Sequence, residues 1–262
     1  MRDLSFENIE VTQNGRLAYI VINRPELRNA LNTETLQEIV GALHLLERDD
    51  SVGCVIFTGK GEKSFAAGAD ISQLKDKTAL DVFNPNGMSE VYDKIERFDK
   101  PTIAMVNGFA LGGGCELALA CDIRVASTKA KFGLPELNLS IIPAAGGTQR
   151  LARVVGKGIA LDMILTGRFL DGEQAQRIGL VSEVVSPEEL EEKTVEIAEK
   201  ILAKGPLAVR LAKLAVHSGF ETDQKTALII EKLAQAVLFS TEDKNEGTTA
   251  FLEKRKAEFT SK

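Results

Sequence analysis

Histidine is nearly missing from this chain: His44 and His217 are the only two in 262 residues, and they lie far apart. That scarcity leaves no His-based catalytic triad and no His-rich metal site. Cysteine is sparse as well. Cys54, Cys115 and Cys121 sit in apolar contexts, and an odd, small count reads as reduced thiols rather than a disulfide framework. No Cys/His cluster has zinc-like spacing, so no metal is expected. No run approaches the ~18 uninterrupted apolar residues of a membrane span. Met1–Glu7 has no apolar signal core, and the expected location is cytoplasmic. Positive charge is not in excess. Lys and Arg number 32 against 38 Asp and Glu, a net charge of −6, which argues against broad binding of nucleic acid or an anionic membrane. No low-complexity tract occurs. What is present is ordinary for a water-soluble globular chain: 44% hydrophobic and 27% charged residues, long enough for one large domain or a domain with an appendage.

The first third alternates strand and helix signals, and further strands follow. Ile9–Thr12 and Leu17–Ile22 read as strands joined through Asn14-Gly15, a hairpin signal. From Thr33 to about Glu47, Leu36, Ile39, Val40, Leu43 and Leu46 recur on one helical face. Cys54–Thr58, Thr102–Val106, Ile123–Ala126 and Val181–Val185 read as strands, with a loop from Gly59 to Gly68 and a short helix at Cys115–Ala120. The recurrence predicts a mixed α/β core with parallel pairings. From Pro187 the pattern is helical, near 187–203, 206–219, 222–239 and 242–258. The expected division is an α/β core over 1–195 and a helical region over 196–262. Those last helices are too apolar to stand alone and should pack on the core or on another subunit.

The most informative stretch is Asn107–Leu117, where Gly112-Gly113-Gly114 closes an apolar segment and Glu116 follows. Glycines let a ligand approach backbone N–H groups, and a helix opening there leaves those groups without intrahelical partners. The alternative is a Gly-rich connection beside a dipole-stabilised glutamate. A dinucleotide loop is a poor match, because position 117, where the last glycine of G-x-G-x-x-G would fall, is Leu. Gly59–Ser64 resembles a phosphate-binding loop in composition only. A second small-residue stretch, Ser64–Ile71, offers the same close approach, with Asp70 as a helix N-cap. A third, Phe132–Leu139, places Glu136 among apolar residues after Pro135. Singly, each glutamate reads as an exposed or helix-terminal charge. As a pair beside glycine-run N–H groups, they are the equipment for general acid–base chemistry at a stabilised enolate. Cys115 has no histidine beside it and reads as a small core residue. Asp122 reads as structural, without a partner that can be named. Lys254-Arg255-Lys256 is either a solvated helix end or a phosphate clamp.

Several of these segments, in this order, resemble the crotonase (enoyl-CoA hydratase/isomerase) superfamily, and in particular its hydratases. They are Phe65–Ile71, Asn107–Leu117, Phe132–Glu136, Ile142–Leu151 and Phe251–Lys256, spread over essentially the whole chain. The resemblance implies a core of repeated strand–strand–helix turns and a helical C-terminal region that helps form a homotrimer or a dimer of trimers. It implies that the amides of Ala69 and Gly113 bind a thioester oxygen, while Glu116 and Glu136 hold and activate water. Glu136 would protonate the α-carbon and Glu116 deprotonate the water. Ala67, Gly68, Asp70 and Ile71 would border the coenzyme A portion of an acyl-CoA substrate, with Phe251 and Lys254 near its nucleotide end. No separate cofactor is implied. The segment from Leu74 to Met88 would border the acyl pocket. Within the same superfamily the competing activities are double-bond isomerisation, branched- or short-chain dehydration, and thioester hydrolysis. An RNA-binding relative is disfavoured by the acidic balance.

Overall fold

A computed structural model of the chain describes residues 6–260. The reading of the N-terminus therefore lies, for Met1–Ser5, outside the described residues. β1 (Ile9–Asn14) and β2 (Leu17–Ile22) form the expected hairpin, in register from Ile9↔Ile22 to Asn14↔Leu17. α1 (Thr33–Arg48) starts at Asn32, whose side chain accepts from the Thr35 amide at 2.9 Å. It buries Leu36, Ile39, Leu43 and Leu46, the apolar stripe of the sequence.

A strand–strand–helix unit then repeats. β3 (Cys54–Gly59) and β4 (Ser64–Ala66) lead to α2 (Ile71–Leu74) and α3 (Met88–Glu96). β5 (Thr102–Val106) and β6 (Phe109–Leu111) lead to α4 (Gly113–Ala120). β7 (Ile123–Ser127) and β8 (Lys131–Gly133) lead to α5 (Gly147–Val155) and α6 (Lys157–Thr166). β9 (Leu170–Asp171), α7 (Gly172–Arg177) and β10 (Glu183–Val185) close the series. From β3 to β8 the first strand of each unit joins one sheet, ordered β1-β2-β3-β5-β7-β10, and the second joins another, ordered β4-β6-β8-β9. β1 and β2 both belong to the first sheet, and the closing unit reverses the order, β9 joining the second sheet and β10 the first. Apart from the β1–β2 and β8–β9 pairs, the pairings are parallel.

The larger sheet is buried on both faces. Val55 and Phe57 point into the main core, while Cys54 and Ile56 point to a second cluster beneath α8 (Leu190–Leu202). Ala104 and Val106 divide from Ile103 and Met105 in the same way. This is why these strands read as unbroken apolar runs rather than alternating ones. The second sheet was not foreseen. Its strands have two or three residues each, too few for any period to register, and β4 falls inside the expected Gly59–Gly68 loop.

Past α8, the chain is helical through α9 (Pro206–Phe220), α10 (Gln224–Phe239) and α11 (Glu242–Glu253). α9 and α10 contain no buried residue, although they carry exposed Val216, Phe220, Leu233 and Phe239. No helix among the described residues is long and apolar enough to cross a membrane.

Asp122 has partners that the sequence did not name. Lys213 Nζ lies 2.8 Å from its Oδ2 and His217 Nε2 lies 2.9 Å from its Oδ1, both from α9, and the Thr102 amide donates to Oδ2 at 2.8 Å. The sequence hid this pairing because His217 is 95 residues away. Burial works to raise the Asp122 pKa, but the His217 contact, the Lys213 charge and the Thr102 amide outweigh it and hold the carboxyl below its usual range. Such a group stabilises the fold above its unfolded pKa, and that contribution is lost as pH falls through the depressed folded value. Lys213→Met is expected to destabilise the protein by about 3 kcal/mol, the low end for breaking a buried ion pair. Urea titrations at pH 7 and at acid pH check this, and the difference between mutant and wild type should shrink in acid.

Candidate active site

The site is built at the N-terminus of α4, which starts two residues earlier than its apolar pattern suggested, so that Gly113 is its first helical residue. All eight residues of α4 are buried, including Glu116 at 2% exposure. Gly112 caps it at φ 52°, ψ −126°, a conformation that a Cβ-bearing residue avoids. A Cβ there would also lie 2.9 Å from Glu136 Oε1. Two residues further, a Cβ on Gly114 would sit 1.9 Å from the Ala66 carbonyl oxygen, so the glycine run lets β4 lie directly against the helix.

That contact brings the second small-residue loop to the first. Leu31 brackets Ala69 as an isolated parallel bridge: the Leu31 amide donates to Gly68 O at 2.8 Å and the Asp70 amide donates to Leu31 O at 3.0 Å. In such a bridge the amide of the bracketed residue faces the other way, here away from Leu31. Gly68 lies against the start of α4, since a Cβ on it would stand 3.6 Å from the Gly113 nitrogen. Among the described residues, neither the Ala69 nor the Gly113 amide donates to a backbone carbonyl outside the regular helices and strands. At the first position of a helix an amide has no intrahelical acceptor either. Asp70 caps α2 by accepting from Ser72 N at 3.2 Å and pairs with Arg24 at 3.2 Å; Ile71 is 60% exposed. Tyr92, fully buried, donates its hydroxyl to Gly113 O at 2.7 Å and anchors the helix start from α3.

Glu116 Oε1 accepts from the amides of Ala145 and Gly147, both at 2.8 Å. Burial raises its pKa, while those two amides and the Arg150 charge pull it back down. The helix dipole also favours the ionised form in the first turn. Glu136 opens a 3-10 turn, Glu136–Leu139, and its Oε2 is buried without a hydrogen-bond partner among the described residues. Burial pushes its pKa up to about 7, and the negative charge of Glu116 adds to the shift. The structure therefore brings Ala67–Asp70, Gly112–Gly113, Glu116 and Glu136 together. Leaving a buried carboxyl oxygen unpaired costs about 1–3 kcal/mol, and such an expense is characteristic of functional groups.

Three features escaped sequence reading: Tyr92, Arg150, and the amides of Ala145 and Gly147. Amides carry no side-chain signal, and α3, which carries Tyr92, lies in a stretch for which no helix was expected. Phe251 and Lys254 lie at the end of α11, where Phe251 is 83% exposed, and no described contact joins them to Glu116 or Glu136. The 74–88 segment holds a short 3-10 turn, Ala79–Phe83, with Leu80, Val82 and Phe83 exposed. All three thiols are unpaired and buried, and burial pushes each up to about 12, which makes Cys115 a packing residue rather than a nucleophile. Among the described residues, no three His, Cys, Asp or Glu side chains are grouped to hold a metal ion.

A buried helix N-terminus, a facing small-residue loop and two carboxyls of raised pKa meet at this place. Residues 12–262 match the enoyl-CoA hydratase/isomerase family model, and the chain belongs to that family. It is 49% identical over 260 residues to the crotonyl-CoA hydratase of Syntrophomonas wolfei, covering 99% of this chain and all of the relative. It is 48% identical to the short-chain-enoyl-CoA hydratase of Clostridium acetobutylicum, over 97% of this chain and 98% of the relative. Among solved structures, the enoyl-CoA hydratase of Bacillus anthracis superposes with a TM-score of 0.94 at 41% identity, covering 98% of this chain and 100% of that one.

Glu136 should titrate near pH 7, and Glu116→Gln should lower its pKa by removing a like charge. Carbon-detected NMR of labelled glutamate carboxyls reads both. An unmoved Glu136 midpoint in the mutant would show that the two groups do not interact.

Proposed function

We propose that this chain is an enoyl-CoA hydratase, adding water reversibly across the double bond of 2-enoyl-CoA thioesters to give 3-hydroxyacyl-CoA. The observation that carries the reading is the pairing of Glu116 and Glu136 beside the amides of Ala69 and Gly113. In this mechanism the thioester oxygen sits between those two amides, which stabilise the enolate as charge develops; one such donor is worth about 10²–10³ in rate. Glu116, kept ionisable by the Ala145 and Gly147 amides, takes a proton from water as the hydroxyl bonds to the β-carbon. Glu136, with its pKa near 7, gives a proton to the α-carbon. The proton held by Glu116 then returns to Glu136 and restores the starting state. Both carboxyls act at one water, so the pair titrates as a unit.

The coenzyme A portion belongs to the substrate, and no further cofactor enters. Backbone at Ala67–Ile71 borders it, and Lys254 and Phe251, exposed on α11, suit its nucleotide end. The short-chain specificity in the names of the relatives supports crotonyl-CoA as the first substrate to test. The unburied apolar faces of α9 and α10 support a homotrimer or a dimer of trimers, since monomers rarely expose contiguous apolar surface on that scale. Three unpaired cysteines suit a reducing, cytoplasmic setting.

Loss of enoyl absorbance with crotonyl-CoA tests the activity directly. Glu116→Gln and Glu136→Gln should each lower kcat by about 10²–10⁴, with the double mutant far from additive. Near-normal hydration by either single mutant would remove that residue from the mechanism. Sedimentation equilibrium should give a particle of three or six chains.

A further inference from the structure

Glu116 is held by two amides, and those amides come from the least regular backbone near the site. Residues 141–146 carry no helix or strand, and the turn ends in Gly146-Gly147. Such a segment loses much conformational freedom when it is ordered, so something must fix it if Glu116 is to keep one rotamer. Arg150 is placed to do so. Its Nη1 donates to Ala145 O at 2.9 Å, and its own backbone amide donates to Gly146 O at 2.7 Å. The guanidinium packs against Gly146 through Nη1: a Cβ there would be 2.0 Å from that atom, and Gly146 has φ 101°. On its far side, Arg150 Nε and Nη2 form a fork on Glu96 Oε2 at 3.0 and 2.7 Å, and Nη2 also donates to Asp93 at 2.5 Å. The Arg150 side chain is only 10% exposed, and its anchors stand on α3, more than fifty residues away in sequence.

We propose that Arg150, clamped by Asp93 and Glu96, is the positioning residue that sets the Ala145–Gly147 turn and through it the orientation of Glu116. The inference rests on the hydratase reading for its kinetic consequences only; the structural claim stands apart from it. α3 then serves both halves of the site, because Tyr92, adjacent to Asp93, holds Gly113 O. A lysine could not replace the arginine, since one ammonium cannot fork onto Glu96 while also reaching Ala145 O.

The groups facing Glu116 are Arg150 from α5, Glu136 from the 3-10 turn, Tyr92 from α3 and Cys115 beside it, with Asp93 and Glu96 behind the guanidinium. Arg150 is the cation among them, and its charge favours ionised Glu116. Two effects are therefore separable. Arg150→Met removes both clamp and charge, whereas Arg150→Lys removes the fork and keeps the charge.

The test is crotonyl-CoA hydration across pH, together with amide hydrogen exchange at Ala145 and Gly147. Arg150→Met should lower kcat about 10²-fold, the scale of a misplaced catalytic group, with KM changed by less than about threefold. Its acid limb should move to higher pH, and the two amides should lose protection. Arg150→Lys should lower kcat while leaving the limb in place. Should Arg150→Met fail to fold, Glu96→Gln, which weakens the fork alone, should still lower kcat and expose the same amides. A folded Arg150→Met with wild-type exchange at Ala145 and Gly147, or with wild-type kcat, overturns the proposal. A wild-type protein inactive on every enoyl-CoA overturns the hydratase reading instead, and the exchange experiment still decides the role of Arg150.

Discussion

Placing a carboxylate inside an apolar helix is the constraint around which the rest of this molecule is organised. α4 is buried along its whole length, and Glu116 is its one ionisable carboxylate. Taking an ionised carboxylate out of water costs several kcal/mol even after relaxation. The fold offsets that cost locally. The helix dipole points its positive end at the first turn, two amides donate to one carboxylate oxygen, and Arg150 lies behind them. Glu136 has only its own backbone amide to favour the ionised form, and burial raises its pKa to about 7. Two chemically identical side chains thus sit in different environments, and burial raises the pKa of both.

The same constraint explains the glycines. A helix can present its first amides to a ligand only if its N-terminus is not shielded by side chains. Here β4 lies so close that any Cβ on Gly114 would overlap the Ala66 carbonyl. Gly112 must turn the chain through a conformation that leaves room for Glu136. Close packing of backbone on backbone brings the Gly68–Ala69 loop up to Gly113, and so makes one place of two distant loops. The strand–strand–helix units supply this, because β4 and β6, which lead into the two loops, are neighbours in the smaller sheet.

Much of the site was legible beforehand. Glycine runs and isolated carboxylates in apolar surroundings are conspicuous in any sequence, so Gly113, Glu116, Glu136 and the Ala67–Asp70 loop stood out. The hairpin, α1 and the strands of the large sheet were legible for a related reason: their patterns are long enough to repeat. The small sheet was not, because a strand of three residues shows no period. Nor was the Asp122–Lys213–His217 cluster, whose members belong to segments that the sequence gives no reason to join. Arg150 read as one residue of a recognisable motif and gave no hint of the helix that holds it.

The sequence alone, then, determined which residue types were available for chemistry and which reactions their scarcity excluded, because composition and local pattern are properties of the chain itself. It also determined the family, through several motifs kept in order. Only the tertiary structure decided what those residues became. Protonation of Glu136 depends on burial and on a neighbour 20 positions earlier, the orientation of Glu116 depends on amides of a distant turn, and that turn depends on an arginine clamped to another helix. Each is set by long-range contact and local dielectric, and neither quantity exists until the chain has folded.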